Sequence, residues 1–206
     1  MDSMEPWCQR MEQRVFDIVT RSSEESTVLL VDTTGTEESL RVFQNSSNFV
    51  VFDAKAMHTK RLSRNQGVPA LLEEARNLLT FALMRGKTLV VRLGDAAVDF
   101  NSTFCDDSCE DIVSQNPRPP YQQWEYVPRG FMLQSGSPLK VPPYPDTLYR
   151  RDDINDISSG MGMHLHPNFK VIVSTTLPEN RLDDMLFNGK YGLPGMKRDY
   201  QVVKLE

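Results

Sequence analysis

Cysteine is scarce. The chain has three, an odd number, and two of them lie in Cys105-Asp106-Asp107-Ser108-Cys109, so there is no disulfide framework and a reducing compartment is the expected setting. A basic excess is also missing. Twenty-three Lys and Arg against 28 Asp and Glu, over 206 residues, leave a formal charge of −5, which removes the electrostatic footprint of a nucleic-acid binder. No uninterrupted apolar run approaches the roughly 18–20 residues that a bilayer span requires. The opening Met1–Arg10 is acidic and carries a tryptophan, unlike a basic-then-apolar secretory leader. These absences predict a cytoplasmic protein that engages neither nucleic acid nor membrane.

Catalytic signatures are missing as well. No serine sits in a GxSxG elbow, which leaves a hydrolase triad without support. Histidine occurs three times; His164 and His166 stand two apart with no acid or cysteine at ligand spacing, so a structural role is expected for them over a metal pair. Cys105 and Cys109 lack a second pair and are read as incidental. A phosphate-cradling loop needs glycines whose amides wrap the anion and a lysine to neutralise it. After the first apolar run the chain instead reads Thr33-Thr34-Gly35-Thr36-Glu37-Glu38, with two acids that would repel a polyphosphate.

What is present is a series of buried-type strands and helices. Thr27–Asp32, Phe49–Asp53 and Lys87–Asp95 are continuous apolar runs of strand length, two of them closed by an aspartate and the third by Gly94-Asp95, and Lys170–Thr176 is a fourth. Such runs suit strands covered on both faces. Residues 4–21 predict an N-terminal helix and Glu37–Gln44 a short one. From Pro69 onward, apolar residues at 71, 72, 75, 78, 79, 82 and 83 form a helical stripe that Gly86 should stop. The predicted fold is therefore α/β: a parallel sheet with flanking helices in three layers. The expected division is an N-terminal helix and linker over 1–26, the α/β domain over 27–180 and a C-terminal tail over 181–206. Eight of the 13 prolines fall between Pro117 and Pro145, which marks about 101–162 as a long irregular insertion. Its interleaved aromatics suggest that it packs on its own domain, ahead of a role as a proline-rich ligand.

Several blocks, taken in order, resemble dynein heavy chains at the fifth AAA module of the motor ring. His166-Pro167-Asn168-Phe169-Lys170-Val171-Ile172-Val173-Ser174-Thr175-Thr176-Leu177-Pro178 resembles that family's His-Pro-Asp-Phe-Arg, three apolar or aromatic residues, Thr-Thr-Lys-Leu-Pro. Leu29–Gly35 resembles its apolar-Asp-Pro-x-Gly turn, and Leu71–Val91 its helix, Gly-Lys and apolar strand. Gly94-Asp95 through Asp99 falls at its Gly-Glu-Glu-Leu-Asp. The likeness covers about residues 27–100 and 164–180. Thr33 stands for the family's proline, Thr176 for its lysine, and the insertion is longer, as in a divergent relative or a fragment. The resemblance implies an AAA unit without a working phosphate loop that is a structural segment of the ring. It also implies protein partners among dynein or axonemal subunits, and a cytoskeletal, axonemal location in a cilium. The missing phosphate loop leans against catalysis without deciding it, a motor ATPase activity enters only through the resemblance, and no cofactor is expected. The alternative is an unconventional nucleotide pocket for ATP or ADP with magnesium at the strand carboxyl ends, built from Asp32, Gly35, Asp95 and Thr175, where open α/β sheets bind ligands.

Overall fold

A computed structural model describes residues 6–21, 27–63, 68–98, 168–188, 192–193 and 197–206. The expected insertion at 101–162, both cysteines within it and the His164/His166 pair lie outside these residues. The described elements run α1 (Pro6–Arg21), β1 (Thr27–Asp32), α2 (Glu38–Asn45), β2 (Phe49–Asp53), α3 (Ala54–Leu62), α4 (Val68–Arg85), β3 (Thr88–Gly94), β4 (Lys170–Thr175), α5 (Glu179–Leu182) and β5 (Tyr200–Leu205). A π turn over Asp183–Phe187 follows α5, and a 3-10 turn over Lys197–Asp199 precedes β5. Among the described residues, no helix is long and apolar enough to cross a membrane.

The strands form one five-stranded sheet in the order β2-β3-β4-β1-β5, and every pairing is parallel. All six residues of β1 are buried, because alternate side chains feed opposite cores. Leu29 and Val31 join Phe52, Leu71, Leu79, Val91 and Val173 on one face. Val28 and Leu30 join Val15, Val19, Val42, Phe43 and Ile172 on the other. Helices α1 and α2 therefore cover one side, and α3, α4 and α5 the other. This division follows from chain handedness: right-handed crossovers that run in opposite directions along a sheet must lie on opposite faces. The connector from β1 to β2 runs one way, while those from β2 to β3 and β4 to β5 run the other. The three-layer α/β expectation is met.

Local chemistry sets the element ends. Gly86 adopts φ 61° and the Lys87 N–H returns to the Ala82 carbonyl at 3.0 Å, the six-to-one bond of a glycine-terminated helix. Asp53 closes β2 and starts α3, its Oδ1 accepting the Ala56 N–H at 2.9 Å. Three features add to the sequence reading. Helix α3 was not foreseen, since its only buried residues are Ala54 and Met57 and two residues make no stripe. The segment 181–206, expected as a tail, carries β5, which pairs with β1 along its whole length. An edge strand buried mainly at its ends has no continuous apolar run to announce it. The N-terminal helix likewise belongs to the domain, with Val15 and Val19 in the core.

Candidate functional site

The sheet order singles out one place. Adjacent strands β1 and β4 send their connectors in opposite directions, and a parallel sheet opens a crevice at such a point, outside the strand carboxyl ends. Asp32, the β1–α2 loop, Gly94-Asp95 and Thr175 all reach this edge.

Asp32 is 2% exposed and its carboxylate is fully engaged. Oδ1 accepts the Thr34 N–H at 3.0 Å and the Thr34 hydroxyl; Oδ2 accepts the Ser39 N–H at 2.9 Å and the Ser39 hydroxyl. Ser39 lies in the first turn of α2, where helix amides have no partner of their own. A loop that cradled phosphate would offer such amides to its ligand; here the chain's own carboxylate takes the Ser39 amide. Burial pushes the Asp32 pKa up, but the hydrogen bonds from Ser39 and Thr34 outweigh it and hold the group below its ordinary value.

Glu37 makes a second internal ion contact. It adopts φ 52°, a left-handed conformation that costs a non-glycine residue roughly 1–2 kcal/mol, and its carboxylate grips Arg92. Arg92 Nη2 donates to Oε1 at 2.9 Å and Oε2 at 2.6 Å, and Nε donates to Oε2 at 3.1 Å. On its other side, Arg92 Nη1 donates to Asp53 Oδ2 at 2.7 Å. Burial alone would lower the guanidinium's pKa, yet Glu37 and Asp53 keep it above the usual range. Beside this cluster, Lys55 pairs with Asp95 at 2.5 Å, and that hydrogen bond lowers the Asp95 pKa. Gly94, at φ 58°, leaves room for these side chains: a Cβ there would meet Lys55 Cδ at 3.1 Å.

Thr175 is also committed. Its hydroxyl donates to the Gly94 carbonyl at 2.8 Å and accepts the Leu177 N–H at 3.2 Å, while the Thr176 N–H meets the same Gly94 carbonyl at 2.8 Å. These bonds tie β4 to β3 across the register shift between Arg92 and Gly94. The remaining cavity, between Glu37, Ser39, Arg92, Gly94, Thr175 and Thr176, has a volume of about 10 Å³, room for about one water. Two of its lining side chains are charged, Glu37 and Arg92, and they pair with each other at 2.6 Å.

Of the four residues assigned to an alternative nucleotide pocket, Asp32 and Thr175 reach the crevice as structural ties. Asp95 stands exposed on the rim, its side chain 71% accessible. Gly35 lies on the exposed loop at φ 79°, with nothing within 4 Å of where a Cβ would be; its backbone angle, not a close approach, calls for glycine. Among the described residues, no three His, Cys, Asp or Glu side chains group to hold a metal. The sequence marks Glu37 as an acid of the loop and Asp53 as a strand-ending aspartate; it does not mark their partner Arg92, nor Lys55. Arg92 carried a readable signal, a lone charge inside Thr88-Leu89-Val90-Val91-Arg92-Leu93 that must find a partner when the strand is buried.

No protein-family model, curated protein or solved structure matches this chain.

Proposed function

We propose that the chain is a non-catalytic AAA-like module that works by contact, as a structural or interaction domain of a microtubule-associated motor or axonemal assembly. The dynein-like blocks motivate the assembly. The carrying observation for the absence of catalysis is the Asp32 carboxylate seated on the Thr34 and Ser39 donors, supported by a cavity of about 10 Å³. A triphosphate would have to displace that carboxylate, and the cations beside it among the described residues, Arg92 and Lys55, are already paired with Glu37 and Asp95.

Calorimetric titration with ATP and ADP, with and without magnesium, tests the first half: no heat and no change in melting temperature are expected. Magnesium-dependent hydrolysis abolished by Asp95→Ala would overturn it. The second half is tested by affinity capture from ciliated cells, with dynein or axonemal chains expected among the co-purifying proteins. Their absence would remove the assembly while leaving the contact module. One observation favours a nucleotide pocket instead, the crevice at the β1/β4 switch point. A crystal soaked in nucleotide with phosphates against Gly35 would establish that reading.

A further inference from the structure

Among the described residues, the crevice side chains pair with one another, while the outer face of α4 carries exposed apolar surface. Its inward stripe, Leu71, Ala75, Leu79, Ala82 and Leu83, is buried. Ala70, Glu74, Asn77 and Phe81 recur at helical spacing on the outer side, with Leu78 half-buried against the core at their edge, and the five line an open groove of about 680 Å³. Phe81 is 42% exposed, one of two large hydrophobic residues so exposed among those described.

Charge along the groove is asymmetric. At one end Glu74 is neutralised by Lys60, whose ammonium lies 3.0 Å from both carboxylate oxygens. At the other end, Lys87 Nζ and the Arg85 guanidinium sit over the Phe81 ring at 5.1 and 5.8 Å. Lys87 also donates to the Ser47 carbonyl at 2.7 Å, and neither cation meets a carboxylate among the described residues. An apolar bed that ends in two cations lacking counter-charges is complementary to an amphipathic helix with carboxylates beside its apolar stripe. Among the described side chains, the same face of a second copy offers one acid, Glu74, and that acid already has Lys60.

We infer that the outer face of α4 is a docking groove for an acidic amphipathic helix of a partner protein, seated on Leu78 and Phe81 with its carboxylates against Arg85 and Lys87. The inference rests on the contact reading above and names the surface that reading requires.

The probe is a labelled helical peptide of about 18 residues, with leucines at the i, i+3, i+4, i+7 positions and glutamates elsewhere, beside a counterpart with every glutamate replaced by lysine. Fluorescence anisotropy with the full chain should show saturable binding of the acidic peptide that weakens with salt. Affinity should drop at least tenfold in Phe81→Ala and in the double variant Arg85→Ala/Lys87→Ala, while the basic peptide binds at least tenfold more weakly. Amide chemical-shift changes should cluster over 74–87. All three altered side chains lie at the surface, and an unchanged far-UV spectrum confirms that the variants fold. Equal binding of both peptides, indifference to the substitutions, no binding, or shifts centred elsewhere would each overturn the inference. Self-association abolished by Phe81→Ala would overturn it in favour of a second copy. If the groove fails while nucleotide still produces no heat, the contact reading stands and another surface must serve it; if nucleotide binds, that reading falls whatever the peptide does.

Discussion

Asp32 is the residue on which the most local structure depends. Its carboxylate receives two backbone amides and two hydroxyls in a buried setting, so its removal strands several donors at once. Asp32→Ala should cost about 2–3 kcal/mol in urea unfolding, since a buried donor left without its charged acceptor costs more than the bond contributed. The same residue sets a pH dependence. Its folded pKa lies below the ordinary 3.8, so the unfolded chain takes up the proton first and the stabilisation, complete above the unfolded value, is lost as pH falls through the folded one. Stability of the wild-type chain should therefore decline below about pH 5, and Asp32→Asn should flatten that limb; an unchanged acid limb in the variant would remove Asp32 as its source. Gly94→Ala tests the neighbouring cluster. A left-handed backbone and a Cβ 3.1 Å from Lys55 predict a loss of about 1–2 kcal/mol, measurable as a lower melting temperature. That aspartates end strands was visible in the chain; that Asp32 would bind Ser39, seven residues on, depended on how the loop folded back.

At the scale of elements, α4 was plain in the sequence because a stripe over 71–83 and a terminal glycine point to one conformation. The stripe also states its cost of disruption: Leu79, fully buried, should lose about 2–5 kcal/mol on change to alanine, as truncated core leucines do. The connector from β4 to β5 was not plain. Its course depends on Gly192, at φ 155°, where a Cβ would lie 2.5 Å from the Leu186 carbonyl oxygen. The Leu193 N–H bonds that same oxygen at 3.0 Å. Gly192→Ala should therefore displace the connector and unseat β5, seen as faster amide exchange at Leu193 and along β5 and β1. If only Leu193 exchanges faster, the connector and the strand are independent. Helix α3 went unread because it buries one face so narrowly that Lys55, Lys60 and Arg61 dominate its pattern.

For the whole molecule, the sheet order decides where a ligand would go, and the side chains there are already paired with one another. A ligand present at 100 times its Kd would stabilise the fold by about 2.7 kcal/mol; magnesium-ATP at millimolar concentration should give no measurable rise in melting temperature, and a rise would require a pocket larger than about 10 Å³. The sequence by itself determined the layers: apolar runs of strand length, a striped helix between two of them and the missing phosphate loop leave little choice but a parallel sheet without a cradle. The tertiary structure alone decided the strand order, the place of β5 beside β1 and the partners of Asp32, Glu37 and Arg92. The reason is physical. Periodicity records which face of an element is buried, whereas an ion pair between Glu37 and Arg92, 55 positions apart, exists only once the sheet brings their strand ends together.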